Sequence, residues 1–142
     1  MEDSTFHIHA DLEDTHWWFV ARARIVSALL AHCVDRGKQH LVLDIGCGTG
    51  GMVRNLSAEF DCVGVDSSET AIRLARAGFP AGSYECADAF AFIEARRDEI
   101  SCVLLMDVLE HIEDDRSFLK NVIERLAPGC TIIITVPANM KL

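Results

Sequence analysis

The stretch Leu41 to Met52, LVLDIGCGTGGM, constrains the fold more than any other part of the chain. An apolar run, Leu41-Val42-Leu43, passes through Asp44 and Ile45 straight into a loop carrying Gly46, Gly48, Gly50 and Gly51. Apolar residues without polar alternation mark a strand covered on both faces, the condition of a central strand in a parallel sheet. Glycines let the backbone turn sharply and lie closer to a ligand than any side chain would permit. Met52, Val53 and Leu56 then resume helical spacing, so the loop opens onto a helix at the carboxyl edge of the sheet, where open α/β folds bind ligands. A plain tight turn would account for the glycines alone, but not for glycines joined to Asp44.

The same alternation runs through the rest of the chain. After an acidic leader to about Asp14, a first helix is expected from Trp17 to about Asp35, with Trp18, Ile25, Val26, Leu29 and Leu30 at helical spacing and Gly37 ending it. The helix after the glycine loop carries Val53, Leu56 and Phe60. Cys62 to Val65 reads as strand two, and Ser67 or Ser68 caps a helix reaching about Ala77. The Gly78-Phe79-Pro80 turn leads to a short strand, Ser83 to Cys86, then a helix from about Ala89 to Arg97 in which Phe90 and Phe92 compete for the core. Ser101 to Met106 reads as strand four. Asp114 or Asp115 caps a helix with Phe118, Leu119, Val122, Ile123 and Leu126 on its apolar face, and Pro128 and Gly129 end it. Thr131 to Val136 is a β-branched fifth strand. Strands alternating with helices predict an α/β fold, a doubly wound parallel sheet, because parallel strands require crossovers.

The chain has 142 residues, enough for one domain with a real core. A formal net charge of −9 disfavours nucleic acid as a partner, since binding by counterion release needs clustered Lys and Arg. No apolar run approaches the roughly 20 residues that span a bilayer, and the acidic start is unlike a secretory signal. A cytoplasmic protein is expected. The six cysteines, Cys33, Cys47, Cys62, Cys86, Cys102 and Cys130, are nowhere closer than 14 residues. No metal-ligand spacing results, and no metal is expected. Cys62, Cys86, Cys102 and Cys130 fall in or beside strands, where a reduced thiol is a small apolar group. His7 and His9 lack a third ligand nearby and read as part of the leader.

Strand one is expected over Leu41 to Ile45, and Asp66 and Asp88 each fall just after a later apolar strand, which places them with Asp44 along one edge of the sheet. Asp66 lies 20 residues beyond Gly46, the separation at which a carboxylate ending the second strand accepts hydrogen bonds from both ribose hydroxyls. Its alternative role is to cap the following helix, and Asp88 in its strand-to-helix loop is equally suited to capping.

LVLDIGCGTGG, CVGVDSSETAI, CADAF, MDVLEHI and LAPGCTIIITVP, spread over Leu41 to Pro137, resemble the successive motifs of class I S-adenosylmethionine-dependent methyltransferases. The nearest-looking group is the small-molecule, ubiquinone-biosynthesis-like type, and HWWFVARARI resembles a segment ahead of the first strand in some relatives. The resemblance implies S-adenosylmethionine as cofactor, with Asp44 and the backbone of Gly46, Cys47, Gly48 and Gly50 at its methionine end. It implies Asp66 and Ser67 at the ribose, Asp88 at the adenine amino group, Ala89 or Phe90 near the ring, and Met106 and Asp107 bordering the sulfonium and the amino-acid end. Methyl transfer from a sulfonium needs alignment and exclusion of water more than a covalent helper. For a hydroxyl acceptor His111 is the candidate general base, with capping or packing as its alternative role. The cluster His16, Trp17, Trp18, Phe19 and Arg22 could lid the cofactor, contact a small-molecule acceptor or pack.

Gly46, Gly48 and Gly51 also satisfy the G-x-G-x-x-G pattern of nicotinamide-dependent dehydrogenases, so an NAD(P)-binding oxidoreductase is the alternative. Asp44 weighs against it, because a carboxylate suits the cationic amine of a methionine moiety and is badly placed beside a pyrophosphate. Five strands are visible where the resembling family usually has seven. The expectation is therefore a truncated domain, without its substrate-side portion, that binds cofactor with or without turnover. Its fifth strand would leave an apolar edge open to self-association.

Overall fold

The computed structural model describes residues 16–34 and 40–138. Its elements run α1 (Trp17–Cys33), β1 (Leu41–Ile45), α2 (Gly51–Leu56), β2 (Asp61–Asp66), α3 (Glu69–Gly78), β3 (Ser83–Cys86), α4 (Ala89–Arg96), β4 (Ile100–Met106), a 3₁₀ turn (Leu109–His111), α5 (Asp115–Arg125) and β5 (Thr131–Thr135). All five strands are parallel in the order β3-β2-β1-β4-β5. The order reverses direction at β1, and that switch point opens the crevice where such sheets bind ligands.

Both faces of β1 are covered, and all five of its residues are buried. Val42, Cys62, Cys102 and Leu104 pack with Val26 and Leu30 of α1, Val53 and Leu56 of α2, and Ile72 and Ala75 of α3. Leu43, Val63, Val65, Val103 and Leu105 pack on the other side with Ile93 of α4 and Val122 of α5. Alternate residues of each strand thus feed two cores, and the continuous apolar runs follow.

Local chemistry sets the helix starts. Ser68 Oγ accepts the Ala71 N–H at 3.2 Å, Asp88 Oδ1 accepts the Ala91 N–H at 2.9 Å, and Asp114 Oδ1 accepts the Ser117 N–H at 2.9 Å. Ser68, not Ser67, therefore caps α3, and Asp114, not Asp115, caps α5.

The expected apolar faces need correction in two helices. Val26 and Leu30 of α1 are buried, but Trp18, Ile25 and Leu29 form an exposed stripe beside them. In α5, Val122 and the adjoining Leu126 are buried while Ile123 is 53% exposed. Apolar residues covered more of each helix circumference than the sheet could bury. Phe92, rather than Phe90, enters the core of α4, and α2 ends at Leu56 with Phe60 beyond it. The cysteines divide in the same way. Cys47, Cys62 and Cys102 are buried, Cys130 is half-buried and Cys86 is exposed, because β3 is an edge strand with only Tyr84 inside. The leader, Asp35 and Gly37 lie outside the described residues, as do His7 and His9.

Candidate functional site

The glycine loop leaves β1 with alternating handedness: Gly46, Gly48 and Gly50 have φ of 69°, 54° and 85°. Positive φ costs an L-residue about 1–2 kcal/mol, so glycine is favoured there. The loop amides are already engaged. Gly46 and Cys47 donate to Val65 O at 2.8 and 3.2 Å, and Gly50 donates to Cys47 O at 3.0 Å. Gly48 donates to Asp66 Oδ2 at 3.0 Å. What the loop offers outward is the bare Cα of Gly48, where an added Cβ would meet nothing within 4 Å.

Asp66 joins two segments, since its Oδ1 also accepts the Ser68 N–H at 2.9 Å. A carboxylate has about four acceptor positions, so two remain for a diol. Beside it lies a cavity of about 220 Å³ lined by Ile45, Gly46, Val65, Asp66, Ser67, Ala87, Asp88, Ala89, Val108, Ile112 and Phe118. Asp66, Ser67 and Asp88 are its polar side chains, and the rest of the lining is largely apolar. Such a lining suits a flat heterocycle joined to a polyhydroxylated ring. Ala89 is part of the wall. Phe90 is not; it packs against Phe118 with ring centroids 5.4 Å apart, and Arg125 covers it at 5.0 Å.

Asp44 is 3% exposed and lies in register with Gly64 of β2 and Leu104 of β4. Its carboxylate places negative charge beneath the loop, where a cation is favoured. Thr49, in the loop, is 6% exposed, and its hydroxyl has no hydrogen-bond partner. Such an orphan is costly unless a ligand meets it.

Met106 and Asp107 end β4. Asp107 is the one non-glycine residue with positive φ among the described residues, at 57°. Its N–H donates to Thr135 O at 3.0 Å, its Oδ1 accepts from Thr135 Oγ1 at 2.9 Å, and its Oδ2 is ion-paired with Arg22 of α1. Arg22 lies over the Phe19 ring at 5.2 Å, and its buried Nε has no partner. The aromatic segment is therefore tied by Arg22 to the end of β4. His111 is exposed at the close of the 3₁₀ turn and does not line the cavity.

Sequence reasoning did not single out Thr49, Tyr84, Val108, Ile112 or Thr135 for the site, and it placed Phe118 in the core. No local pattern marks them, and the nearness of Val108 to the loop shows only in the fold, where a Cβ added to Gly46 would stand 2.9 Å from Val108 Cγ2. Burial also sets the thiols apart. Cys62, helped by the negative charges of Asp44 and Asp61, and Cys102 are each pushed up to about 12, and Cys130 to about 11.

Fold and site together define a doubly wound protein whose ligand crevice lies between a glycine loop and acidic strand ends. The chain belongs to the methyltransferase-domain family, whose model matches residues 16–141. It is similar to trans-aconitate 2-methyltransferase of Methylobacterium radiotolerans, 29% identical over 122 residues, covering 84% of this chain and 46% of the relative. It is also similar to ubiquinone biosynthesis O-methyltransferase of Rickettsia bellii, 26% identical over 141 residues, covering 88% of this chain and 59% of the relative. The chain thus spans about half the length of the curated relatives it matches. An S-adenosylmethionine-dependent methyltransferase from Clostridium acetobutylicum shares the fold with a TM-score of 0.73 at 20% identity, covering 99% of this chain and 59% of that one. The plantazolicin methyltransferase BpumL, solved in complex with SAH, aligns with a TM-score of 0.66 at 21% identity over 87% of this chain and 49% of that one. Membership in a methyltransferase family removes the dehydrogenase alternative.

Proposed function

We propose that this chain is the cofactor-binding part of an S-adenosylmethionine-dependent methyltransferase that acts on a small-molecule acceptor in the cytoplasm. The observation that carries the reading is the cavity lined by Gly46, Asp66 and Asp88 together with the apolar Val108, Ile112 and Phe118. Family membership and relatives named as small-molecule methyltransferases support it.

The residues present fit the cofactor. Asp66 has acceptor positions left for the ribose hydroxyls, with Ser67 beside it, and Asp88 suits the adenine amino group with Ala89 against the ring. Asp44 supplies negative potential on the side of the cationic methionine end, and the loop from Gly46 through Cys47 and Gly48 to Gly50 admits close approach. Thr49 Oγ1 and Arg22 Nε are unpartnered donors for a carboxylate. Met106 and Asp107 border the reacting end of the site. When bound, the cofactor supplies a methyl group on a positively charged sulfur. The protein's work is then to align acceptor and methyl group and keep water out.

His111 is the general base in this reading for a hydroxyl acceptor, supported only by its place one turn beyond Asp107. The charge of −9 supports an acceptor other than nucleic acid. No helix among the described residues is long and apolar enough to cross a membrane. The outer edge of β5 supports self-association, because the strand pairs only with β4 among the described residues and carries exposed Ile134 with Val136 beyond it.

Calorimetric titration with S-adenosylhomocysteine and with NADH tests the reading. Binding of S-adenosylhomocysteine alone, weakened at least tenfold in Asp66→Ala, is expected. Binding of NADH alone, or an unaltered affinity in Asp66→Ala, overturns it.

A further inference from the structure

We propose that Tyr84 is a positioning residue that holds the glycine loop in its cofactor-ready shape from two strands away, an inference that rests on the function proposed above. Tyr84 is 4% exposed and sits on β3, in register with Gly64 of β2, which is itself in register with Asp44 of β1. The row Asp44–Gly64–Tyr84 therefore crosses three strands on one face of the sheet. Because Gly64 has no side chain, the tyrosine can lean across it toward the end of β1. A Cβ on Gly64 would stand 3.0 Å from Tyr84 Cδ1 and 2.8 Å from Cys47 Sγ. A Cβ on Gly50 would stand 2.6 Å from Tyr84 Cε1 and 2.7 Å from its hydroxyl.

The ring fills the room that Gly50, Gly64 and Gly82 leave, and its hydroxyl completes the brace by donating to Gly50 O at 3.2 Å. Gly50 is the last left-handed residue before α2, and its carbonyl also accepts the Arg54 N–H at 3.0 Å. The tyrosine is itself pinned, since Arg76 Nη2 donates to Tyr84 O at 2.7 Å. A purely apolar core position would need only the ring. The hydroxyl, 34 residues away in sequence from its acceptor, reaches the segment that must lie close to the methionine end of the cofactor. It does not line the cavity assigned to the adenosine end. Tyr84 thus acts on one half of the ligand through the loop.

Tyr84→Phe removes the brace and keeps the ring. The expected result is a dissociation constant for S-adenosylhomocysteine raised roughly fivefold to tenfold, as for loss of one net hydrogen bond, with affinity for adenosine unchanged. Equal weakening of both ligands, or no weakening of S-adenosylhomocysteine while Asp66→Ala still weakens it, overturns the positioning role and leaves the cofactor reading intact. A wild-type chain that binds neither compound overturns both. Gly64→Ala presses from β2 both on this ring and on Cys47 of the loop itself, and should weaken S-adenosylhomocysteine selectively, while Tyr84→Phe isolates the hydroxyl. Should Tyr84→Phe and Gly64→Ala both lose the folded circular dichroism spectrum, the residue is structural and the proposal fails.

Discussion

Arg22 and Asp107, 85 positions apart, form an ion pair between the helix that precedes the sheet and the end of β4, next to the central strand. The side chains are 13% and 30% exposed, so the pair is neither a fully solvated surface contact nor a buried one. It fixes Arg22, which lies over the Phe19 ring, against the residue that follows β4. Arg22→Ala should lower stability by about 1–2 kcal/mol in urea denaturation, between the values for exposed and buried pairs.

Asp107 also carries backbone strain, with φ of 57°. Asp107→Gly and Asp107→Ala lose the same contacts to Arg22 and Thr135, but only glycine relieves the strain. The glycine variant should therefore be more stable than the alanine variant by about 1 kcal/mol. Equal stabilities would show that the left-handed turn costs nothing here.

Asp88 has two separable roles, capping α4 through Ala91 and lining the cavity. Asp88→Ser keeps a capping oxygen and removes the charge, whereas Asp88→Ala removes both. Thermal melts should place Asp88→Ser near wild type and Asp88→Ala lower by about 1 kcal/mol. Both should bind S-adenosylhomocysteine more weakly than wild type.

Gly46 and Gly48 should respond differently to alanine. At Gly48 the Cβ meets open space, so the stability cost is strain alone, about 1–2 kcal/mol, while the new methyl group intrudes on the ligand side. At Gly46 the Cβ also meets Val108 Cγ2 at 2.9 Å. Val108→Ala should recover part of the stability lost in Gly46→Ala and none of that lost in Gly48→Ala, as read from a double-mutant cycle.

The buried thiols make stability pH-dependent on the alkaline side. Cys62 and Cys102 are raised from 9.0 to about 12 in the folded protein. Their contribution is complete below the unfolded value near 9 and is lost as pH rises toward the folded value near 12. Denaturation midpoints at pH 8 and pH 10.5 should differ less in Cys62→Ala than in wild type. In the native protein at pH 8, Cys33 and Cys86, both exposed, should react first with a thiol reagent, and Cys62 and Cys102 only on unfolding.

The amino-acid order by itself determined the succession of elements. β1 and β3 have the expected boundaries, β2 is longer by one residue at each end, and β4 and β5 differ by a single residue at one end. It also determined that Gly46, Gly48, Asp66 and Asp88 meet at one edge, because parallel strands and their following loops all present the same end. Those are consequences of local periodicity and capping, which act over a few residues. Tertiary structure alone decided which stripe of α1 is buried, why Phe118 and not Phe90 lines the cavity, and how Tyr84 reaches Gly50. It also decided that Arg22 and Thr135 converge on a left-handed Asp107. Each of these depends on which residues the sheet brings side by side, and strand pairing joins positions whose separation along the chain leaves no repeating pattern to read.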